Sequence, residues 1–306
     1  MQHTNANANP AVLERRLLLA GAVLAPVARP ADARDAAVDL LARAERAVDV
    51  TDIGAARRLL AQLAAGAGAG RGFGHGGELW RRCLAVRAVT LRDSGRGRAA
   101  VPVYGRLVTL SRAARDPGRY GTAVMGAVVS LMNEGRTGCA ERLLRAEHSG
   151  LAATGDRRMA IEVAFWQARV LEDRGHLATA RELVARRVLP LSAAHETPDM
   201  QVARHVFACR LALGTARPDW GAAERHLDQA RDRLDRRTRA LRVGQYLTAH
   251  ALFELRAGAS DRARSLARDA ADTLTRAGIR SPHLTAVRHA LDAHSSVQSV
   301  GKHAAL

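Results

Sequence analysis

Small residues recur along the chain at a nearly constant interval. The marker alanines Ala100, Ala140, Ala180, Ala223 and Ala263 are separated by 40, 40, 43 and 40 residues. A glycine stands five residues before four of them, at Gly95, Gly135, Gly175 and Gly258. Glycine ends a helix readily because it adopts a positive φ without strain, and a small alanine lets the next helix approach closely. The pattern therefore predicts an array of helix pairs with a period of about 40 residues.

A second small or medium residue precedes each marker alanine. It lies twelve positions earlier in four cases and fifteen in the fifth, at Ala88, Val128, Ala168, Ala251 and Ala208. One small residue on each partner helix allows a close crossing, which larger side chains then surround. We therefore expect an all-α fold, an α-solenoid of antiparallel helix pairs.

The apolar periodicity also predicts where the helices lie. Residues 31 to 64 form a first pair, with one stripe around Leu41 and Ala44 and another around Leu60 and Leu63. The regular helices are expected over 78–94, 98–115, 119–134, 138–153, 157–174, 177–194, 199–214, 220–239, 243–257 and 261–277. Ser281 and Pro282 are typical of a helix start, so a C-terminal capping helix follows, to His294.

Three segments lie outside this pattern. Residues 1–30 form an N-terminal arm with a signal-like segment, in which Arg15 and Arg16 precede an apolar run at 17–28. That run is too short to span a membrane, and it is either a docking helix or a twin-arginine-like export signal. The glycine-rich stretch 66–77 is expected to be a linker within the helical domain 31–295, and the tail 296–306 to be disordered.

The composition favours closely packed helices and leaves the meaning of the charge open. Hydrophobic residues make up 47% of the chain but aromatic residues only 3%, so Ala, Leu and Val must build the core. The net charge is +17, and Lys302 is the only lysine. Residues 78 to 116 carry about +6, which indicates either a solvated face or a footprint for an acidic partner or for phosphates.

No catalytic or metal-binding pattern is visible. His289 and His294 are too far apart on a helix to share a ligand, and the three cysteines form no Cys-x-x-Cys pair. Asp232 and Asp235 are spaced as intrahelical partners of Arg236 and Arg239. The sequence has no nucleophile elbow and no phosphate-binding loop after a strand. We therefore expect no enzyme activity, no metal and no cofactor.

The spacing of the small residues resembles the tetratricopeptide repeat. The further alanines at Ala230 and Ala270, seven after their markers, strengthen the likeness, although the usual period of that family is about 34 residues. The longer variety is similar to the C-terminal repeat region of actinobacterial helix-turn-helix regulators. The resemblance covers residues 31 to 295, and no helix-turn-helix is recognised ahead of it.

The resemblance also implies candidate binding residues. In that family the first helix of each pair lines a concave groove, and its ligand-facing positions are counted from the small residue at the crossing. The corresponding positions here are Arg82, Arg92, Asn133, Arg169 and His205. These side chains are mostly cationic, which suits an acidic peptide or protein, while apolar groove contacts remain the alternative.

Two functions from different classes follow. The first is a non-catalytic protein- or peptide-binding module that acts in the cytoplasm. The second is a transcriptional regulator or its accessory subunit, which works through a DNA-binding partner or through non-specific charge contacts with nucleic acid. The sequence leaves the oligomeric state and the curvature of the array open.

Overall fold

The computed structural model describes residues 30–50, 52–66, 77–236, 238–279, 284–289 and 291–292, and this part of the chain contains helices and no strand. The helices are α1 (Pro30–Asp49), α2 (Ile53–Gly66), α3 (Glu78–Asp93), α4 (Gly97–Ala113), α5 (Pro117–Asn133), α6 (Thr137–Ala146), α7 (His148–Ala152), α8 (Arg157–Asp173), α9 (Leu177–Leu183), α10 (Leu189–His195), α11 (Pro198–Leu213), α12 (Trp220–Arg231), α13 (Ala240–Arg256) and α14 (Ser260–Arg276). Residues 284–289 and 291–292 are also helical.

Consecutive helices pack against each other, and alternate helices lie side by side. The pairs α1–α2, α3–α4, α11–α12 and α13–α14 are in contact, and α3 also contacts both α1 and α5. Short turns join most partners, so neighbours along the chain run antiparallel. The expected all-α class is confirmed for the described residues.

The glycines and marker alanines behave as their spacing predicts. Gly95, Gly135, Gly175 and Gly258 have φ values of 74°, 70°, 79° and 86°, in the left-handed region. All five marker alanines are completely buried. Any larger side chain at these alanines would push two helices apart, because the helix packing leaves no space beside them.

Most helix boundaries agree with the sequence prediction to within a few residues, but the predicted helix 138–153 is divided at Glu147 into α6 and α7, and one helix end is wrong. Helix α12 ends at Arg231, whereas the periodicity predicts a helix to residue 239. Thr238 accepts a hydrogen bond from the backbone N–H of Asp235, which favours a turn over a further helical turn. Arg239 then donates to Asp199 of α11 from Nε at 2.8 Å, so its expected intrahelical pairing with Asp235 is wrong.

A π turn interrupts the predicted helix 177–194. Residues Val184–Val188 join α9 to α10, and the N–H of Leu189 bonds the carbonyl of Val184 five residues earlier. Pro190 follows immediately and has no N–H to donate, so a regular α-helix here would lose one of its hydrogen bonds. The wider turn keeps the two halves continuous around the proline.

The two sequence-distant ends of the described helices meet. Ile53 of α2 belongs to the same apolar cluster as Leu274, Ile279 and Leu284. The backbone at Gly278 approaches closely enough that a Cβ there would lie 3.7 Å from the nitrogen of Gly54. We call the contact of Ile53 and Gly54 with Gly278, Ile279 and Leu284 the end seam.

Several predictions fall on residues outside the described ranges. They concern the N-terminal arm with its apolar run at 17–28, the glycine-rich stretch 67–76, the cap at Ser281 and Pro282, and the tail 296–306. These expectations stay as predictions.

Candidate binding site at the end seam

A cavity of about 410 Å³ adjoins the end seam. One wall comes from the turns that follow α3 and α5, and the other from α14 and the helical residues 284–289. Its lining residues are Arg92, Gly95, Gly97, Asn133, Glu134, Ala271, Leu274, Thr275, Ile279, Leu284, Thr285 and Arg288. We call it the seam cavity.

Glycine allows the first wall to form. A Cβ at Gly97 would lie 2.7 Å from the side chain of Glu134 and 2.9 Å from the carbonyl of Ser130, so only glycine fits between α4 and the end of α5. The carboxylate of Glu134 accepts the backbone N–H of Arg98 at 3.2 Å, in the first turn of α4. This anion stabilises the helix start, since the first N–H groups of a helix lack partners within it.

Two of the five predicted binding residues meet in the seam cavity. Arg92 holds Asp93 through Nε at 2.6 Å and Nη2 at 3.0 Å, and 21% of its side chain stays exposed. Burial opposes its charge, but the nearby Tyr104 and Asp93 raise the pKa of Arg92, so the guanidinium remains a cation. Asn133 is exposed at the end of α5 and adds an amide.

The second wall of the seam cavity mixes apolar and polar groups. Leu274 and Ile279 are apolar, while Thr275, Thr285 and Arg288 can form hydrogen bonds. Arg288 is exposed and brings a second guanidinium to the same cavity, against the single carboxylate of Glu134. The cavity therefore presents two guanidinium groups, one carboxylate and neutral polar groups around an apolar floor.

Arg82, the third predicted binding residue, joins two helices. It donates to Glu45 of α1 through Nε at 2.8 Å and Nη2 at 2.6 Å, a two-pronged ion pair between α1 and α3. Other arginines of the basic region 78–116 are also paired, for Arg81 contacts Glu78 and Arg98 contacts Glu134. Much of the positive charge of this region is therefore neutralised locally.

Arg169 lies on α8 between aromatic rings. Its guanidinium carbon is 5.7 Å from the ring centre of Trp166 and 5.3 Å from that of Phe207. Glu172 is 3.4 Å away and also pairs with Arg210 of α11. Burial, and to a smaller extent the positive charge of Arg210, lowers the pKa of Arg169 to about 10. Arg169 remains charged at neutral pH and packs α8 against α11.

His205 is buried between α11 and α12. Its Nδ1 lies 3.4 Å from Nδ1 of His226, and the two rings are tilted by 31°. Burial, with smaller contributions from Arg233 and His226, lowers the pKa of His205 to about 4. The ring is neutral at pH 7. The structure thus does not bring His205 or Arg169 to the seam cavity.

A buried charged network was missed from the sequence. Arg204 is 2% exposed and donates to Glu162 at 2.5 Å and to Glu196 at 2.6 Å. Its guanidinium also stacks on Phe165 at 4.2 Å. The sequence did contain a signal for this network, because Arg204 lies within the mostly apolar run 202–213. A cation inside a buried helix needs carboxylate partners.

Other observations limit the chemistry of the described residues. Within the described ranges, His, Cys, Asp and Glu side chains nowhere gather in a group of three or more that could hold a metal ion. None of the helices in those ranges combines the length and apolar character that a membrane crossing requires. No protein-family profile matches this chain, and no curated protein sequence matches it significantly. The case for a binding site therefore rests on the geometry of the seam cavity alone. Its lining can bind a ligand through guanidinium and amide groups.

Proposed function

We propose that the chain is a non-catalytic module that binds a protein or peptide, built as a tetratricopeptide-like α-solenoid of helix pairs. The buried marker alanines and the left-handed glycines support this architecture. Ion pairs that join residues 33 to 42 positions apart support it too, because helices one period apart would place such residues side by side. The resemblance to actinobacterial regulators is part of the same proposal.

The observation that carries the proposal is the seam cavity. It places Arg92 and Asn133 opposite Arg288, across two parts of the chain that are distant in sequence. A peptide carboxylate would accept charge-assisted hydrogen bonds from the guanidinium groups, while Leu274 and Ile279 would cover an apolar side chain. The expected partner is thus an acidic segment of a cytoplasmic protein.

A capture experiment with matched variants tests this function. Tagged protein is incubated with lysate of its own host, and bound proteins are identified by mass spectrometry. Wild type and the control Arg87→Ala, which alters an exposed arginine of α3 outside the cavity, should recover the same partner. The double variant Arg92→Ala with Asn133→Ala should lose it. Equal recovery by all three proteins would refute binding at the seam cavity.

The formal charge of +17 favours one alternative, an accessory subunit of a transcriptional regulator. Nuclease treatment of half of each lysate separates the two functions. A partner held through nucleic acid should disappear after nuclease, and its retention should fall steeply with salt. A partner held in the seam cavity should survive nuclease.

A further inference from the structure

The start of α2 packs behind the second wall of the seam cavity. Three apolar residues of that wall belong to the same buried cluster as Ile53. They are Leu274, Ile279 and Leu284. Ile53 itself is buried and is not one of the residues that line the cavity. Its side chain therefore supports the wall without facing a ligand in the cavity.

The turn after α14 brings this wall against α2. The N–H of Ile279 bonds the carbonyl of Leu274 at 2.9 Å, and the N–H of Gly278 bonds that of Thr275 at 2.9 Å. With a φ of 71° at Gly278, these bonds form a Schellman motif, a common way to end a helix. A Cβ at Gly278 would lie 3.8 Å from the Cβ of Ile53. The end of α14 and the start of α2 therefore meet in a defined geometry.

The first wall of the cavity is also joined to α2. Arg92 lies in the last turn of α3, and α3 packs against α2. Helix α2 thus contacts α3 on one side and the end of α14 on the other. It connects the two walls, and the loss of the Ile53 contact would remove one connection between them.

A ligand in the seam cavity would contact both walls. Arg92 and Asn133 lie on the first wall, and Thr285 and Arg288 lie on the second. A ligand that bonds to both walls binds the closed seam more tightly than an open one, so its binding favours closure. Closure in turn raises the affinity for the ligand, because coupling between two equilibria is reciprocal.

We infer that Ile53 is a positioning residue for the seam cavity, so that its contact with the second wall and the binding of a ligand stabilise each other. This inference rests on the proposed function, because the ligand is the acidic segment expected in the cavity. It adds regulation to that function. Binding at the cavity then strengthens the attachment of the α1–α2 pair, and a change that loosens this pair weakens binding.

Calorimetric titration with a defined acidic peptide tests the effect on affinity. The probe is acetyl-glutamyl-leucyl-glutamyl amide, which has a carboxylate on either side of an apolar side chain. Ile53→Ala should weaken its binding about fivefold, because the apparent dissociation constant rises as the closed fraction falls. Ile53→Val keeps most of the contact and should bind within about twofold of wild type. The control Ile161→Ala removes a fully buried side chain of α8 and should leave the affinity unchanged.

Hydrogen exchange of wild type gives the reciprocal measurement and needs no destabilised variant. The described residues that line the cavity include none from α2. The peptide should nevertheless slow amide exchange in α2, because it stabilises the closed seam. Arg92→Ala should abolish both the binding and this slowing.

The outcomes separate the inference from the proposed function. If wild type does not bind the peptide, or if Arg92→Ala binds it equally well, the proposed function of the cavity fails and the inference fails with it. If wild type binds but Ile53→Ala binds equally well, or α2 gains no protection, the inference alone is overturned. The same holds if Ile161→Ala loses as much affinity as Ile53→Ala.

Discussion

The centre of the chain and the end seam are held together in different ways. At the centre, α8 and α11 share a cluster with Ile161, Phe165 and Phe207, and the Arg204 network crosses it. At the end seam, a few apolar side chains around Ile53 and Ile279 meet across more than two hundred residues of sequence. A contact between neighbouring helices closes a short loop of chain. The contact between the distant ends closes a long loop, which costs more conformational entropy.

This difference suggests that the two regions have unequal stability. Helix α11 is buried on nearly every side, from Val202 to Cys209 and from Leu211 to Leu213. Two residues of the end seam, Ile279 and Leu284, instead border the seam cavity, so the packing is interrupted on that side. Local opening draws on regions with few buried contacts, and we expect the end seam to open before the centre does.

One of the two largest effects is expected from Arg204→Ala. Removing the guanidinium leaves the buried carboxylate of Glu196 and the partly exposed one of Glu162 without their cation, which should cost about 3 kcal/mol of unfolding free energy. Urea denaturation measures this loss of unfolding free energy. The triple variant with Arg204→Met, Glu162→Gln and Glu196→Gln removes all the charges and should recover much of the loss. A single-variant cost below about 1 kcal/mol would mean that the network is not desolvated.

Two isoleucines of nearly equal burial, one in each region, allow a direct comparison of how much each region contributes to stability. Ile161 is 0% exposed at the centre and Ile53 is 1% exposed at the end seam. Ile161→Ala should cost about 3–4 kcal/mol, within the usual range for a truncated core residue. Ile53→Ala should cost about 2 kcal/mol, because the seam relaxes or opens locally. Hydrogen exchange should then quicken in α2 and around Ile279 alone. Equal costs without local exchange would show that both regions unfold as one unit.

The His205–His226 contact predicts a pH effect next to the centre. An unfolded histidine has a pKa of about 6.5, and burial lowers the pKa of His205 to about 4. Above pH 6.5 both states are neutral and stability is complete. As the pH falls toward 4, only the unfolded state gains protons, so unfolding should become easier by about 1–2 kcal/mol. Urea midpoints at several pH values measure this, and His205→Gln should flatten the curve.

The smallest effect is expected at the rim of the seam cavity. The side chain of Arg98 is 86% exposed, so Arg98→Ala should change stability by less than about 0.5 kcal/mol. Glu134→Ala should cost about 1 kcal/mol, because it also removes the acceptor for the first turn of α4. Thermal unfolding of the two variants tests the order, and a larger loss for Arg98→Ala would contradict it.

Local features were predictable from the sequence, and long-range ones were not. The turns at Gly95 and Gly135 and the close crossing at Ala140 follow from the conformational freedom of glycine and the size of alanine. The end seam depends on how all the helices between its two sides pack in sequence, and no single residue encodes that arrangement. The same holds for the meeting of Arg92 and Asn133 with Arg288, a residue outside the predicted set.

The partners of individual side chains were the second feature that could not be predicted from the sequence. The family resemblance implied that Arg82 and Arg169 lie on the first helix of a pair, but it could not show that Glu45 and Glu172 would engage them. The buried position of His205 depends on α12, whose His226 faces it from another helix.

The π turn between α9 and α10 bears on how this chain tolerates changes in length. A turn of this kind holds one residue more than an α turn, so it behaves as an insertion stored inside a helix. The side chains before it still face α8, and Glu196 beyond it still reaches Arg204. Deleting one residue within Val184–Val188 would therefore restore an α turn, at the cost of the hydrogen bond that Pro190 cannot donate.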